Sequence, residues 1–264
     1  MTNNSNTYVI KIGGKFFDFF TTNTSVCDGF FDFIQLLLNE GKKVVVVHGG
    51  GDQVQQLLSA LGKKSEKHNG LRITPAEDIG LVTGILAGDL NKLLAAKLQA
   101  ASIDALGLSL ADAEIAICEP IDNKLGRVGQ PAKGDSRLLS LLINQNFVPV
   151  IASIGRYSSG DLCNVNADHA AIHIANMLGA QLIFLSDVRG VLDADGNLIS
   201  SLDENEINRL SEQQVITDGM LVKVNAALSA ANTLNNKVTI ASWHDLGSDT
   251  KNQSIGTSIL PTKH

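Results

Sequence analysis

Two glycine clusters in the sequence have residue types and spacing that can hold a phosphate group. Gly13-Gly14 follows Lys11 at the end of one short apolar run, and Gly49-Gly50-Gly51 follows a second run. Glycine lets the backbone approach a phosphate and direct N–H groups at it, and a helix that begins directly afterwards adds a favourable dipole. Either cluster alone could equally make a tight turn.

Two common nucleotide-binding motifs do not account for these glycines. The sequence contains no GxxxxGK[ST] segment, which excludes a P-loop ATPase. The segment Gly49-Gly50-Gly51-Asp52-Gln53-Val54 lacks the third glycine of GxGxxG, so a Rossmann dinucleotide site is only weakly supported.

Three cationic residues lie where they could face anionic ligands. Lys11 ends an apolar run beside the first glycines, although it could also be an edge lysine that reaches water. Arg72 lies in a predicted loop between Gly70 and Pro75, where it could bind a carboxylate in a two-point contact or simply be solvated. Lys223 lies in the first turns of a predicted helix, where the dipole mildly disfavours a cation. A disfavoured position is a small indication of function.

Polar residues at two further segments are candidates for binding or orientation. Asn164 could donate to a substrate and Asp168 could orient lysines, but Asn and Asp are also common at helix N-termini. Asp187 follows a predicted strand and could contact a ribose, a metal-bound water or a lysine, or cap a turn. Nothing pairs His48 and Cys163 as a base and a nucleophile, so both are interpreted as structural.

The elements that must position these residues alternate between strands and helices. Apolar runs predict strands over 8–12, 43–47, 147–153, 181–185 and 237–241. Helical spacing predicts helices over 30–39, 52–61, 74–86, 90–101, 167–178, 204–210 and 218–234. Strands that are apolar on both faces lie between helical layers, so the predicted fold class is α/β with a mostly parallel central sheet. Ligands of such sheets bind beyond the carboxyl ends of the strands, where both glycine clusters fall.

Composition and charge limit the classes of protein. The 264 residues are 44% hydrophobic and 18% charged, which excludes a disordered or collagen-like chain. The 21 Lys and Arg residues against 27 Asp and Glu residues give a net charge of −6. Neither nucleic acid nor an anionic membrane is therefore expected as a partner. If the protein binds anions, its few cations must be concentrated in one place.

Signals of compartment favour the cytoplasm. The polar, uncharged segment 1–7 lacks the basic and apolar regions of a secretory signal, and no run of about 18 apolar residues predicts a membrane span. Cys27, Cys118 and Cys163 are odd in number and widely spaced, which fits free thiols in a reducing compartment.

Taken together, these segments resemble the amino-acid kinase family over nearly the whole chain. The loosely shared segments are Lys11-Ile12-Gly13-Gly14, Val47-His48-Gly49-Gly50-Gly51 and Leu185-Ser186-Asp187-Val188-Arg189-Gly190-Val191. The more specific segments are Asn69-Gly70-Leu71-Arg72-Ile73-Thr74 and Asn164-Val165-Asn166-Ala167-Asp168. Further matches are Ile216-Thr217-Asp218-Gly219-Met220 with Lys223, and Gly256-Thr257. Their co-occurrence in this order argues against chance agreement.

The resemblance implies an open three-layer αβα sandwich with one continuous sheet. An N-terminal lobe, 1–178, would bind the amino-acid substrate and dimerise, and a C-terminal lobe, 179–264, would bind the nucleotide. Gly179, a predicted C-cap glycine, marks this soft boundary. The implied activity is ATP-dependent phosphorylation of the γ-carboxylate of N-acetyl-L-glutamate in arginine biosynthesis. Mg²⁺ would accompany ATP, held mainly by phosphates and water, so no protein metal site is expected.

The resemblance also implies roles residue by residue. Lys11 and Lys223 would stabilise the transferring phosphoryl group, and Asp168 would organise the two lysines. Residues that would hold the amino-acid substrate are Gly50, Gly51, Arg72 and Asn164. Backbone N–H groups at the phosphoryl group would come from Gly13, Gly14 and Gly50. The ATP site would be lined by Asp187, Val188, Arg189, Gly190, Val191, Leu192, Val215, Ile216 and Thr217.

The family pattern also frames the oligomeric state and the rival functions. Arginine-inhibited hexameric members carry an extra N-terminal helix, whereas here a strand is predicted to start by Tyr8, so a homodimer without arginine feedback is expected. The aromatic segment 15–20 departs from the family pattern, and Trp243 is predicted to be a packing residue. The rivals are a kinase of carbamate or another small carboxylate, and a catalytically silent nucleotide or amino-acid sensor. The presence of both lysines together with Asp168 argues against the sensor.

Overall fold

The computed structural model describes residues 6–22, 24–216, 218–246 and 255–262. The strands are β1 (Thr7–Ile12), β2 (Lys43–His48), β3 (Lys67–His68), β4 (Leu71–Arg72), β5 (Ala105–Ser109), β6 (Ile117–Pro120), β7 (Val128–Lys133), β8 (Val148–Ala152), β9 (Ile154–Tyr157), β10 (Leu162–Val165), β11 (Gln181–Ser186), β12 (Ser201–Leu202), β13 (Val238–Ser242) and β14 (Thr257–Ile259). The helices are α1 (Phe19–Thr22), α2 (Thr24–Asn39), α3 (Gly51–Ala60), α4 (Ile79–Thr83), α5 (Asn91–Ala100), α6 (Arg137–Asn144), α7 (Ala167–Leu178), α8 (Glu204–Glu212) and α9 (Asp218–Leu234).

The main sheet of the described residues has eight strands in the order β12-β14-β13-β11-β1-β2-β8-β5. Its neighbouring strands are parallel, except that β13 and β14 are antiparallel. Because β1 pairs with both β2 and β11, Ile12 lies level with His48 on one side and Leu185 on the other. The carboxyl ends of three strands therefore meet at one edge, where ligands of such sheets bind.

Alternate residues of the central strands face opposite helical layers. Ile10 and Val46 are buried in one apolar cluster, which also contains residues of α2, α3 and α5. Val9 and Val45 are buried in a second cluster, which contains residues of α6, α7, α8 and α9. Since side chains alternate along a strand, a sheet that is buried on both faces needs a helical layer on each. The prediction of an αβα sandwich with a mostly parallel sheet is confirmed.

Two helices have the bounds that the sequence predicts, α7 and α9. Gly179 ends α7 with φ at 60°, a left-handed conformation that glycine adopts without a Cβ penalty. Long periodic segments with a clear end signal are the easiest elements to recognise in a sequence.

The predicted helices over 74–86 and 90–101 form one continuous helical stretch. It begins at Ile79 rather than at residue 74, and a π-helical segment over Gly84–Leu90 joins α4 to α5. By length and composition alone the stretch could cross a membrane, but Leu94 and Leu98 are fully buried in the cluster beneath the sheet. These contacts place the C-terminal part of the stretch in the core.

Several short elements were not predicted, among them β5, α6 and a closed four-stranded barrel in the order β10-β7-β6-β9. The barrel strands have four to six residues, and β7 reads VGQPAK. Glycine and proline inside such short strands remove the alternation that identifies a strand. Cys118 and Cys163 lie in this barrel as free, buried thiols, and Cys163 is structural in the sense predicted.

The aromatic segment 15–20 packs into the core directly after the first glycine loop. It begins with a 3₁₀ turn in which Phe16 is fully buried while Lys15 stays exposed. The Phe16 ring centroid lies 4.8 Å from that of Phe30 and 5.9 Å from that of Trp243, both in edge-on geometry. Edge-on aromatic pairs are favourable contacts. The departure from the family pattern thus has a packing role, which Trp243 shares.

Candidate active site

The two glycine clusters lie side by side at the carboxyl ends of β1 and β2. A Cβ atom on Gly14 would lie 3.3 Å from Gly50 Cα and 3.2 Å from Gly51 N, so the loops approach this closely because the side chain is missing. Helix α3 begins at Gly51, and the first N–H groups of a helix have no partner inside it. Backbone donors and a helix N-terminus at one place can bind an anion.

A cleft of about 200 Å³ opens beside these loops. It contains every residue that the sequence analysis assigned to the amino-acid substrate or to backbone contacts with the phosphoryl group. Its walls include Lys11, Gly13, Gly14, Gly50, Gly51, Arg72 and Asn164. Val82, Leu86 and Val128 add apolar surface. A small ligand with carboxylate groups could therefore lie between the cations and the apolar side chains.

Arg72 reaches the cleft from a β-hairpin, not from the loop that the sequence suggested. Strands β3 and β4 are antiparallel, with Lys67 opposite Arg72. Asn69 at φ 49° and Gly70 at φ 78° form the connection. Positive φ at both positions is what a two-residue turn with Asn-Gly requires. This turn fixes the position of Arg72 and brings a second cation, Lys67, into the cleft wall.

The Arg72 guanidinium is buried and held by its neighbours, with 8% of the residue exposed. Its Nη2 donates to Gly51 O at 2.7 Å, and its Nη1 donates to Gln55 Oε1 at 2.9 Å and to Ser65 Oγ. Among the described contacts these bonds leave Nε–H and one Nη2–H, a pair that matches the two oxygens of a carboxylate. Burial lowers the pKa of Arg72 from its ordinary value, yet arginine stays charged in proteins.

Asn164 links the two most specific sequence segments. Its Nδ2 donates to Thr74 Oγ1 at 3.1 Å, across 90 residues of sequence. Thr74 is buried, and its hydroxyl donates to Arg72 O at 3.1 Å. In the same segment Asn166 caps α7 by accepting from Asp168 N at 2.8 Å. The segment therefore both caps a helix and contributes Asn164 to the cleft.

A second cavity, of about 170 Å³, contains the predicted catalytic residues. Lys11, Asp168 and Lys223 all line it, together with Ser186. Lys11 Nζ lies 2.8 Å from Asp168 Oδ1. Because Lys11 also lines the first cleft, the two spaces adjoin at this lysine. A group passed from a ligand in one space to a ligand in the other would pass Lys11.

Lys223 pairs with Asp187 in this structure. Its Nζ lies 3.0 Å from Asp187 Oδ1 and 3.3 Å from Ser186 Oγ, and the other carboxylate oxygen, Oδ2, lies 3.1 Å from Lys15 Nζ. The hydrogen bond from Lys223 lowers the pKa of Asp187 to about 2; the bond from Lys15 adds to this, and partial burial opposes it. Asp187 is therefore ionised and holds two lysines. Asp168 contacts Lys11, and its role toward Lys223 stays a prediction.

The loop after β11 is held by contacts with the C-terminal part of the chain. Gly190 has φ at 136°, which favours glycine. Val191 N donates to Thr257 Oγ1 at 2.8 Å, and Arg189 Nε donates to Asp245 Oδ2 at 3.0 Å. This loop carries most of the residues that the sequence assigned to ATP.

Exposure divides the predicted ATP-site residues outside Asp187 into groups. Val191 and Ile216 are buried and present almost no surface in this structure. Val188 and Val215 are half-buried, and Leu192 is exposed. Neither cavity has these residues in its wall. Thr217 lies outside the described residues, and the ATP role of the whole set stays a prediction.

Four polar residues at the site were not assigned from the sequence, namely Lys15, Lys67, Thr74 and Ser186. Each lies inside, or within three residues of, a segment that the resemblance places at the site. This proximity is the sequence signal that could have identified them. The partners of Lys15, Thr74 and Ser186 lie 172, 90 and 37 residues away, so these contacts could not be read from the sequence.

His48 supports the start of the second glycine loop, in line with its structural interpretation. It is fully buried, its Nδ1 donates to Gly49 O at 2.8 Å, and its Nε2 accepts from Asn91 Nδ2 at 3.0 Å. Burial lowers the pKa of His48 to about 4. A neutral imidazole with one donor and one acceptor nitrogen matches both bonds.

Comparisons with known proteins agree with this arrangement. The sequence matches the profile of the amino acid kinase family over residues 6–242. It is 44% identical to an acetylglutamate kinase of Vibrio vulnificus, over 97% of each chain, and 43% identical to one of Colwellia psychrerythraea, over 96% of each chain. The fold superposes on N-acetylglutamate synthase from Neisseria gonorrhoeae with a TM-score of 0.80 and 22% identity, covering 98% of this chain and 61% of that one. At that identity the likeness concerns the fold alone. The chain belongs to the amino acid kinase family.

Proposed function

We propose that this protein transfers the γ-phosphoryl group of ATP to the γ-carboxylate of N-acetyl-L-glutamate, a step of arginine biosynthesis. The observation that carries the proposal is the pair of cavities that adjoin at Lys11. The names of relatives that share 44% and 43% of their residues with this chain support the choice of substrate.

The cleft beside the glycine loops holds the amino-acid substrate. The unused Nε–H and Nη2–H of Arg72 bind its α-carboxylate, and Asn164 offers a further polar contact from the facing strand. N–H groups of Gly50 and Gly51 hold the substrate from the helix side. The γ-carboxylate then extends toward Lys11.

The ionisation of the acceptor carboxylate explains why no residue of the site is assigned as a general base. A free γ-carboxyl group has a pKa near ~4.3, so it is ionised at pH 7 and needs no proton removed before it attacks. The difficulty is to bring two anions together, and phosphoryl transfer spreads further charge over the phosphoryl oxygens. Catalysis therefore consists of alignment and charge compensation.

Lysines on two sides of the transferring group supply that compensation. Lys11 lies where the two cavities adjoin, and Lys223 lines the second cavity. Asp168 and Asp187 each accept a bond from one of these lysines and so hold the ammonium groups in position. Glycine N–H groups of the first loop add donors whose direction is fixed before the reaction.

Mg²⁺ is proposed to arrive with ATP. Among the described residues no three His, Cys, Asp or Glu side chains come together as a metal site, and the Asp168 and Asp187 carboxylates bind lysines. Phosphate oxygens and water are the ligands that Mg²⁺ commonly uses in kinases. The ion would supply charge compensation on the ATP phosphates.

The proposed working unit is a cytoplasmic homodimer with a substrate lobe (1–178) and a nucleotide lobe (179–264). Support for the dimer comes from Gly80, Gly84 and Gly88, which follow one another at four-residue intervals with open space beyond each Cα. Such a helix face lets a second backbone approach closely. Buried free thiols support a reducing compartment. Gly84→Leu should shift the mass measured by analytical ultracentrifugation toward the monomer, and an unchanged mass would contradict this interface.

An acyl phosphate assay with hydroxylamine tests the activity. The protein, ATP and Mg²⁺ should form hydroxamate with N-acetyl-L-glutamate far faster than with glutamate, aspartate or carbamate run in parallel. Faster product from carbamate would favour the rival kinase. No product from any acceptor, with nucleotide binding intact, would favour the sensor.

A further inference from the structure

Lys15 is a cation at the site to which the sequence analysis gave no role. Its side chain is 66% exposed, and its Nζ lies 3.1 Å from Asp187 Oδ2. Lys223 Nζ bonds the other oxygen of the same carboxylate at 3.0 Å. Asp187 thus joins the loop after β1 to the helix that carries Lys223.

The backbone at Lys15 is held by its neighbours, whereas its side chain is mostly exposed and is bonded only at its tip to Asp187 in the described contacts. The next residue, Phe16, is fully buried between aromatic rings. On the other side, Gln53 Nε2 donates to Gly14 O at 3.0 Å and to Asp18 Oδ1 at 3.0 Å. Rotation about the side-chain bonds is therefore the motion open to Lys15, and it starts directly beside the glycine that is assigned to the phosphoryl group.

The charges around Lys15 are mostly negative. The hydrogen bond to Asp187 is the largest cause that raises the pKa of Lys15, and the charges of Asp52 and Asp18 act in the same direction. Without Lys15, the carboxylates of Asp187, Asp52 and Asp18 on this side of the site would have one fewer cation beside them. Such a surface would repel a polyphosphate.

We propose that Lys15 is a nucleotide-binding residue that moves from Asp187 to the β- or γ-phosphate of ATP. The move exchanges one charge-assisted bond for another with a more highly charged acceptor, and Asp187 keeps its bond to Lys223. The inference rests on the proposed function, because it takes ATP as the phosphoryl donor.

Calorimetric titration of the full chain with ATP, ADP and AMP tests the contact. Lys15→Met should weaken ATP binding about tenfold, since a charge-assisted bond is lost, and change AMP binding less than about twofold. ADP binding should weaken to the same degree if Lys15 contacts the β-phosphate, and stay nearly unchanged if it contacts the γ-phosphate. Lys15→Arg should keep most of the affinity. Lys237→Met is the matched control, because Lys237 is exposed at the amino end of β13, at the opposite edge of the sheet. Lys15→Gln serves as a second neutral variant should Lys15→Met fold poorly.

The same titration in an Asp187→Asn background separates direct contact from an effect through Asp187. A phosphate contact predicts that Lys15→Met still weakens ATP binding there. Loss of the effect in that background would overturn the proposal, and so would unchanged ATP affinity in the single variant. An equal loss for AMP and ATP would also overturn it, because it would point to the nucleoside rather than to the phosphates.

The binding and activity measurements together distinguish failure of the proposed function from failure of the inference about Lys15. A protein that forms no acyl phosphate but whose ATP affinity depends on Lys15 would contradict the proposed function and support the inference. A protein that forms acyl phosphate and binds ATP equally well without Lys15 would support the function and overturn the inference.

Discussion

Asn164 Nδ2 donates to Thr74 Oγ1 at 3.1 Å, and this bond joins two segments that lie 90 residues apart. One segment positions Arg72 and the other starts α7, whose first turn carries the Asp168 partner of Lys11. The predicted substrate-binding and phosphoryl-binding parts of the site are therefore connected by a direct hydrogen bond between the half-buried Asn164 and the buried Thr74.

Replacing Thr74 tests this connection. Thr74→Val keeps the volume but removes the hydroxyl, which leaves Asn164 Nδ2 and Arg72 O each without a described partner. A lost buried hydrogen bond costs about 1–2 kcal/mol, so we expect the KM for N-acetyl-L-glutamate to rise roughly 5- to 30-fold. The KM for ATP should change little. Steady-state kinetics with Thr74→Ser as control would measure both, and an ATP-side effect alone would contradict the connection.

Substitution of the lysines tests the proposed charge compensation. Lys11→Ala and Lys223→Ala should each lower kcat about 10²- to 10³-fold with a smaller change in KM, because the loss falls mainly on the transition state. Lys237→Ala, at the opposite edge of the sheet, should leave kcat unchanged. A variant with normal kcat would remove that lysine from the mechanism.

Arg72 is expected to act on substrate binding. Arg72→Ala should mainly raise the KM for N-acetyl-L-glutamate, because the two-point carboxylate contact is lost. Arg72→Lys keeps a charge but lacks the planar fork, so it should restore binding only in part. Thermal unfolding of both variants is needed as a control, since Arg72 also bonds Gly51 O, Gln55 and Ser65. An unchanged KM would place Arg72 outside the site.

Acid should destabilise the fold through His48. Its pKa falls from an ordinary value near 6.5 to about 4 in the folded state. Between these values the unfolded chain binds the proton and the folded chain does not, so stability is lost as the pH falls. The contribution reaches about 3 kcal/mol by pH 4. His173, whose pKa burial also lowers, acts in the same direction.

Urea unfolding between pH 7.5 and pH 4 measures this dependence. His48→Gln should show a flatter decline in the free energy of unfolding than the unmodified protein, whatever its stability at pH 7.5. Parallel curves for the two proteins would mean that His48 does not carry the effect.

The parts of the fold that the sequence predicted are those with strong local signals. Helix α7 shows why, since Asn166 begins it, Gly179 ends it, and a steady apolar spacing lies between. The four-stranded barrel has no such signal, because its pairing joins β7 to β10 across more than thirty residues and its strands are short. The Asn69-Gly70 hairpin had a usable signal, the Asn-Gly pair itself, but the flanking strands have two residues each.

The residues of the candidate site also divide into those with a local sequence signal and those whose positions depend on tertiary packing. Residues within recognisable segments, such as Lys11 and Arg72, were placed in the cleft where the sequence analysis expected them. The partner of Lys223 could not be read from the sequence, because two carboxylates at the same edge of the sheet were equally eligible. The choice between Asp168 and Asp187 depends on the relative positions of β1, β11 and α9, which packing decides.

Side chains of β1 alternate between the two helical layers. Val9 packs in the cluster that contains α7, whereas Ile10 and Ile12 pack in the cluster on the opposite face of the sheet. Lys11 shares the direction of Val9, which is why the first turn of α7 can supply its partner. The face of the sheet on which this lysine lies therefore depends on whether an even or an odd number of residues separates it from Val9 along the strand. Deleting Ile10 would reverse the direction of the Lys11 side chain and turn its ammonium group toward α2 and α3. The glycine loops would keep their sequence, but Lys11 would lie on the face of the sheet away from Asp168.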